Sequence, residues 1–381
     1  MAGNASSQMV TKMSVRKNVV IIGAGPAGLA AAIAASQCGF RCIVLDARVP
    51  PIDKACGEGI LPHGVAALQE LGIHVDSSNS HPFAGIRFQD EESSAAAKFA
   101  GHAGFAARRT QLHQMLVDRA VETGVEFHWG ANVIQVDSGI VDTAEKQFPY
   151  DWLIGADGQN SAVREWTALR SRIVHGKRYG FRRHFLVRPW TDLVEVYWGE
   201  RCQMFVTPTG EKEVGVAVFS RDPLLRVEQA LPRFPALAEK LQGARPASKE
   251  LGETTCLRIL PEVTQGCIAL VGDASGTVDA VTGHGLSMAF QQAIQLAKAL
   301  HRDDLSLYEA AHRKTAAIPV AMTRLMLLME RSDSIRLRAL RIFQQSPGLF
   351  SRLLSVHAGA LPMSSVGVSE IVEFGWKLLR A

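Results

Sequence analysis

The alternation of apolar and polar stretches first predicts a strand, a helix and a second strand near the start of the chain. Residues 19–22 and 42–45 are apolar, and the stretch between them is rich in alanine. Short apolar runs separated by a helical stretch are typical of buried parallel strands joined by a crossover helix. The pattern therefore predicts a βαβ unit.

Three glycines in and just after the first turn indicate that this unit binds a dinucleotide. Gly23 permits a tight turn, Gly25 lets the backbone approach a pyrophosphate, and Gly28 lets the helix lie close on the sheet. Unpaired amides and the dipole at the helix N-terminus favour phosphate, and Asp46 is placed to accept from a ribose hydroxyl. The alternative is an ordinary strand, turn and helix. The dinucleotide contacts predicted here are Gly23, Gly25, Pro26, Ala27, Gly28, Asp46 and Ala47.

Beyond this unit the pattern changes to extended segments and then returns to buried strands. Residues 86–88 and 96–99 predict a hairpin, and extended segments between residues 178 and 220 predict an antiparallel sheet. Apolar runs at 152–155 and 267–271 resume the first pattern. We predict an α/β fold, with a doubly wound, Rossmann-like nucleotide-binding domain, an inserted antiparallel β-sheet substrate domain and a C-terminal helical segment. The predicted limits are 18–80, 101–170 and 255–305 for the first domain, 81–100 and 171–254 for the second, and 306–381 for the helices.

Composition narrows the class of protein. The 381 residues are 47% hydrophobic and 20% charged, which is typical of a globular chain with a sizeable core. The net charge of +4 is small and no block of lysine or arginine is present, so we expect no nucleic-acid partner. Six cysteines without a CxxC pair indicate reduced thiols and no metal site.

The ends of the chain bear on membranes and localisation. Residues 1–17 are polar, lack the apolar segment of a signal peptide and are expected to form a disordered leader. Since no run of about eighteen apolar residues occurs, we expect a cytoplasmic protein. Arginines among the leucines and methionines of residues 324–341 fit either a lid of helices with solvated charges or peripheral contact with an anionic membrane.

Two further acid-and-glycine turns follow buried strands, where doubly wound sheets bind ligands. They are Asp157-Gly158 and Gly272-Asp273. With three such motifs in order, residues 18–300 resemble the FAD-dependent oxidoreductases of the p-hydroxybenzoate hydroxylase, geranylgeranyl reductase and flavin-dependent halogenase superfamily. The resemblance implies FAD as the cofactor, with NADPH or NADH as the reductant.

The resemblance also implies roles for single residues. Asp273 would bind the flavin ribityl chain, Asp46 the adenosine ribose, and Arg109 would reach the cofactor from its helix. For Asp157 and Asp273 a helix cap or a turn is the alternative role. The glycines on either side of His284 precede a helix whose positive end would stabilise an anion on the reduced flavin. The cofactor contacts added in this way are Arg109, Val133, Asp157, Gly158, Gly272, Asp273, Gly283, Gly285 and Leu286.

The motifs point to more than one flavin reaction. The segment Cys56-Gly57-Glu58-Gly59 resembles the cysteine-glycine loop of geranylgeranyl reductases, and its continuation resembles a loop near the halogenase flavin. Residues 205–208 resemble a strand of the reductases, although that family carries tyrosine and tryptophan where this chain has Gln203 and Phe205. Halogenases carry two tryptophans on this strand, and neither is present. The loop near Ala280 lacks the usual proline, and His284 replaces the glutamate of the reductases.

Three residues are predicted to face the flavin ring as catalytic groups: Cys56, Glu58 and His284. Each has a structural alternative, namely a small buried thiol, a solvated loop acid, and a helix cap or partner of a loop carbonyl. The substrate contacts predicted on the inserted sheet are Tyr197, Trp198 and Phe205, although alternating core packing also explains an aromatic residue there. The methionines at 322, 326 and 329 are expected in the core.

The leading functional prediction is an NAD(P)H-dependent monooxygenase. It would hydroxylate an aromatic or polyketide-like small molecule through a flavin C4a-hydroperoxide, while the protein supplies positioning, dryness and a base. The alternative is a reductase in which flavin delivers hydride to an alkene, such as an isoprenoid, and a nearby acid supplies the proton. A non-catalytic flavin-binding protein is the alternative of another class.

Overall fold

The computed structural model describes residues 16–77 and 79–379, so most of the predicted leader lies outside the described residues. In chain order the strands are β1 (Asn18–Ile22), β2 (Arg41–Asp46), β3 (Gly59–Ile60), β4 (His81–Phe83), β5 (Gly85–Gln89), β6 (Ser94–Lys98), β7 (Gly104–Ala106), β8 (Glu126–Trp129), β9 (Val133–Asp137), β10 (Ile140–Thr143), β11 (Gln147–Pro149), β12 (Trp152–Gly155), β13 (Arg172–Leu186), β14 (Leu193–Gly199), β15 (Cys202–Gly210), β16 (Glu213–Ser220), β17 (Arg245–Pro246), β18 (Leu251–Ile259), β19 (Thr264–Gln265) and β20 (Ile268–Leu270). The helices are α1 (Pro26–Gln37), α2 (Pro62–Glu70), α3 (Arg109–Glu122), α4 (Ala162–Trp166), α5 (Val227–Ala230), α6 (Pro235–Lys240), α7 (Gly285–His301), α8 (Ser306–Arg331), α9 (Asp333–Gln345), α10 (Pro347–His357) and α11 (Val368–Leu379).

A mostly parallel sheet has the order β19-β20-β12-β1-β2-β8. Strand β1 pairs in parallel with both β12 and β2, and β20 continues the parallel run beside β12. Helices α1, α3 and α7 contribute buried residues to the same apolar cluster as these strands. The predicted Rossmann-like fold is confirmed, and the carboxyl ends of β20, β12, β1 and β2 meet at one edge.

The turn after β1 brings backbone groups into close contact. Gly23 has φ of +106°, and a Cβ atom there would lie 2.5 Å from the carbonyl oxygen of Ala156. A Cβ on Gly28 would lie 1.8 Å from the carbonyl oxygen of Gly23. At Gly25 the nearest such atom is a guanidinium nitrogen of Arg109, 4.0 Å away. Two of the glycines thus allow close packing, and the third leaves room for a ligand.

A second, larger sheet has the order β17-β13-β16-β15-β14-β5-β6, with β18 also paired to β13. Strands β13 to β16 pair antiparallel as predicted, and β5 and β6 form the predicted hairpin. Strand β5 joins this sheet by parallel pairing with β14. The hairpin and the main extended segments therefore form one sheet. The domain limits given above stay a prediction.

The two faces of the large sheet are covered differently. One face packs under α5 and α6, and the other packs against α8 to α11, which are the predicted C-terminal helices. Among the described residues, no helix combines the length and the apolar character needed to cross a membrane. On α11, Val368, Val372 and Trp376 are 79%, 63% and 53% exposed. Peripheral membrane contact stays a prediction.

The contact between Gly28 and Gly23 predicts the effect of one added methyl group. The Gly28→Ala variant should lower the melting temperature by several degrees and lose bound cofactor, because overpacking against backbone costs more than about 2 kcal/mol. Gly375→Ala on α11 is the control, since a Cβ there meets nothing within 4 Å. Thermal unfolding followed by circular dichroism measures both. Equal melting temperatures for the two variants would contradict this account of the turn.

Candidate functional site

A cavity of about 880 Å³ lies beside the strand ends of the first sheet and extends to the second sheet and the C-terminal helices. Most of the predicted site residues line it. They are Gly23, Gly25, Pro26, Ala27, Asp46, Ala47, Cys56, Glu58, Arg109, Val133, Asp157, Gly158, Phe205, Gly272, Asp273, Gly283, Gly285 and Leu286. The strand order brings many of them together, because the loops that carry them follow neighbouring strands of the first sheet or precede the helices that begin beside those strands.

Asp46 organises the turn in front of the cavity. It is 8% exposed, and its Oδ2 atom accepts a 2.8 Å hydrogen bond from the amide of Ala24. Its Oδ1 atom accepts from the amide of Arg48, also at 2.8 Å. The carboxylate therefore links the end of β2 to the glycine turn. A carboxylate oxygen has more than one acceptor site, so it can still accept from a ribose hydroxyl.

Four residues that line the cavity each have a buried polar atom without a partner among the described residues, and two of them, Arg109 and Asp157, lie beside the glycine turns. The Nε atom of Arg109 has no hydrogen-bond partner, and neither does Oδ1 of Asp157. The other oxygen of Asp157 accepts from the amides of Ala162 and Val163 at 2.7 and 3.1 Å, so the predicted alternative of a helix cap also holds. Burial lowers the pKa of Arg109. Since unpaired buried polar groups are costly, these two atoms suit a polar ligand in the cavity.

The loop that carries Asp273 supplies another polar border. The Asp273 carboxylate lies 3.9 Å from the Lys54 ammonium and is about half exposed, and the amide of Gly272 donates to Gln292 at 2.9 Å. Gly283 is left-handed with φ of +68°, and α7 begins two residues later. Because Gly283, Gly285 and Leu286 line the cavity, the positive end of α7 borders it.

Glu58 is a buried acid in a charged cluster, which excludes the alternative of a solvated loop acid. It is 2% exposed, has φ of 60°, and accepts from the amide of Arg109 at 2.9 Å. Its Oε2 atom lies 2.5 Å from Nε2 of His184, and its Oε1 atom lies 3.5 Å from the Arg182 guanidinium. Sequence reasoning missed Arg182 and His184. Their spacing of two on β13 was the available signal, since it places both on one face of the strand.

Cys56 lies beside this acid. Its sulfur accepts a 3.3 Å hydrogen bond from the amide of Glu58. Burial raises the pKa of the Cys56 thiol, with the Arg109 charge opposing the shift. The group is therefore a neutral thiol at pH 7, able to donate a proton and poor as a nucleophile.

His284 does not line the cavity, which corrects its predicted position. Its Nε2 atom lies 2.8 Å from the carbonyl oxygen of His357, and the two rings are 4.1 Å apart. The side chain thus pairs with a backbone carbonyl, as the alternative supposed, but this carbonyl ends helix α10 and does not lie in a loop. His357 lines the cavity instead. It lies on α10, far along the chain, so no local motif could reveal the pairing.

Tyr197 also needs a correction. It lies in the apolar cluster on the opposite face of the large sheet, and its hydroxyl donates to Glu195 at 2.7 Å. Alternation along β14 turns it away from the cavity, whereas its neighbour Val196 lines the cavity. Trp198 packs edge-on against Phe88 and does not line the cavity. Of the three predicted substrate contacts, Phe205 alone lies on the cavity wall.

The C-terminal helices form a wall that the sequence did not reveal. The second apolar cluster lies between the large sheet and the C-terminal helices, and Met326 and Met329 are buried in it, as expected of core residues. Met322 is half-buried and packs against this cluster, and all three methionines line the cavity. Their spacing of four and three places them on one face of α8. That spacing indicated a buried face, but it could not distinguish a packed core from a cavity wall.

The comparisons with known proteins agree with this geometry. The family described as FAD binding domain matches residues 16–303. The chain belongs to this family. Its fold is also that of a flavin-dependent brominase, Bmp2, which superimposes with a TM-score of 0.78 at 16% identity over 96% of this chain and 98% of the other.

Curated relatives carry more than one activity in their names. A menaquinone reductase of Mycolicibacterium smegmatis is 36% identical over 139 residues, which is 34% of each chain. The match therefore spans about a third of that relative. A digeranylgeranylglycerophospholipid reductase of Methanopyrus kandleri is 28% identical over 71% of this chain and 77% of its own. A putative FAD-dependent monooxygenase of Bacillus subtilis is 25% identical over 79% and 89%.

FAD fits the residues present. The open space at Gly25 suits a pyrophosphate, Asp46 suits a ribose, and the unpaired atoms of Arg109 and Asp157 suit the polar groups of a dinucleotide. When bound, FAD supplies two-electron redox chemistry. The single contacts stay predictions.

Removal of the Arg109 side chain tests its predicted contact. The Arg109→Ala variant should bind FAD at least tenfold more weakly, because a charged hydrogen bond contributes about 1.5–3 kcal/mol. Gln111→Ala, an exposed position on the same helix, is the control. Fluorescence titration of the apoprotein with FAD gives both dissociation constants. Equal values would exclude Arg109 as a contact.

The contact between His284 and His357 buries both rings, which predicts that the stability of the protein depends on pH. Burial, with His63 nearby, lowers the pKa of His357 to about 4. The unfolded chain then binds more protons between about pH 4 and 6.5, so stability is lost as pH falls through this window. From pH 7 to pH 5 the loss for this residue is about 2 kcal/mol. His357→Gln should reduce that loss, and the exposed control His102→Gln should not, in denaturant titrations at both pH values.

Proposed function

We propose that the protein is an NAD(P)H-dependent FAD monooxygenase that hydroxylates an apolar aromatic or polyketide-like small molecule. The observation that carries the proposal is one cavity with two kinds of lining, polar near the glycine turns and apolar where β5, β14 and β16 face the C-terminal helices. The similarity to a named monooxygenase over 79% of the chain supports it. In the balanced reaction, substrate, O₂, NAD(P)H and a proton give hydroxylated substrate, water and NAD(P)⁺.

The residues of the chain divide this work. The glycine turns, Asp46 and Arg109 bind and orient the dinucleotide, and the positive end of α7 favours negative charge on the reduced ring. Phe205 and Phe219 on the cavity wall exclude water from the substrate. Glu58 and His184, 2.5 Å apart, are the pair able to take a proton from a phenolic substrate and share it.

A second candidate function is reduction of an alkene. The neutral Cys56 thiol on the cavity wall favours it, because such a reaction needs a proton donor beside the acceptor carbon. The similarity to a digeranylgeranylglycerophospholipid reductase supports the same class. NAD(P)H and a proton would then saturate the double bond without consuming oxygen.

Anaerobic reduction followed by oxygen separates these functions. The yellow holoprotein should bleach with NADPH or NADH. With a 4-alkylphenol and ¹⁸O₂ we expect one labelled oxygen in the product by mass spectrometry. A flavin that does not bleach would instead support a non-catalytic binding protein.

Saturation of geranylgeraniol without label would support the reductase. Cys56→Ser is the discriminating variant, since it should slow alkene reduction and leave hydroxylation within about threefold. A large loss of labelled product in this variant would contradict the roles assigned above.

A further inference from the structure

The second apolar cluster borders the cavity between the large sheet and the C-terminal helices. The side chains on this part of the wall are apolar and half-buried, and they pack on one side against the cluster: Phe88 of β5, Val194 of β14, Met322 and Leu325 of α8, and Leu353 of α10. Protein cores are normally packed as densely as organic crystals, with few voids larger than a water molecule. A core whose members border open space is therefore built around an occupant.

The chemistry of this wall restricts the occupant. The four C-terminal helices contribute ten described side chains to the cavity, and His357 is the sole polar one among them. A charged or strongly polar group placed there would lose its hydration and find His357 as its one polar neighbour among these ten side chains. Methionine side chains on α8 adapt to irregular apolar shapes. The wall thus suits a flexible apolar group.

The polar groups lie elsewhere in the same cavity. Arg109, Asp157 and Glu58 belong to the part beside the glycine turns, where the dinucleotide is placed. Strand β15 connects the two parts, since Phe205 and Thr207 both line the cavity. A molecule that fills the cavity beyond the cofactor is therefore amphiphilic, with its polar reacting group near the turns.

We propose that the substrate carries an aliphatic or isoprenoid tail, which lies between the large sheet and the C-terminal helices while the reacting ring or double bond lies beside the flavin. This inference rests on the proposed function for the reacting group. The tail itself is inferred from the apolar wall of the cavity, so it holds for either the hydroxylase or the reductase.

A series of 4-alkylphenols tests the tail. The oxidised holoprotein is titrated with 4-methylphenol, 4-butylphenol and 4-heptylphenol, and binding is followed by the change in flavin absorbance. Each added methylene should lower the dissociation constant roughly three- to fourfold while the tail is being buried. Dissociation constants that stay within threefold across the series would overturn the proposal.

A larger side chain on the cavity wall tests where the tail binds. Met322 is half-buried on the cavity side of α8, so Met322→Trp should weaken 4-heptylphenol at least tenfold and 4-methylphenol less than threefold. Leu328→Trp is the matched control, because Leu328 is 44% exposed on the same helix. Equal weakening of both phenols by Met322→Trp would contradict this location. Leu353→Phe is the second variant if Met322→Trp fails to retain FAD.

The titrations need neither NAD(P)H nor oxygen, so the two proposals fail separately. Tighter binding of longer tails without any labelled product contradicts the hydroxylase and leaves the tail site standing. Labelled product together with dissociation constants that do not depend on tail length supports the hydroxylase and contradicts the tail site.

Discussion

The close approach of α1 to the turn after β1 is the constraint on which the rest of the structure depends. The space between Gly23 and Gly28 admits no side chain, and the turn also rests on the backbone after β12. Three backbone segments are therefore locked together at one point. This contact sets the edge of the sheet where the strand ends, their acids and the N-terminus of α1 meet.

The polar groups at that edge are buried, and they differ in how many of their atoms have hydrogen-bond partners. Asp46 is bonded to two amides, and Glu58 is held by an amide, a histidine and an arginine. Arg109 and Asp157 each have a buried atom with no partner in the part of the chain that the structure describes. The satisfied groups stiffen the site, whereas the unsatisfied ones favour a ligand because its polar atoms replace the missing partners.

The apolar half of the cavity follows from a different constraint. The large sheet has two faces, and each is covered by helices from a different part of the chain. The face under α5 and α6 forms its own apolar cluster, while the face under α8 to α11 encloses open space. The C-terminal helices therefore do more than shield the sheet, since they form the wall opposite the strands.

The sequence by itself determined the βαβ unit, the family and most residues that line the cavity beside the glycine turns, because these depend on local spacing of glycines, acids and apolar runs. It also predicted the antiparallel segments and the C-terminal helices. Tertiary structure alone decided which face of β14 meets the cavity, so Tyr197 turned away and Val196 turned in. Likewise, His357 replaced His284 on the wall, and Arg182 joined Glu58, through contacts between residues far apart in the chain. Spacing along a chain fixes local geometry, but only packing fixes which distant side chains share one cavity.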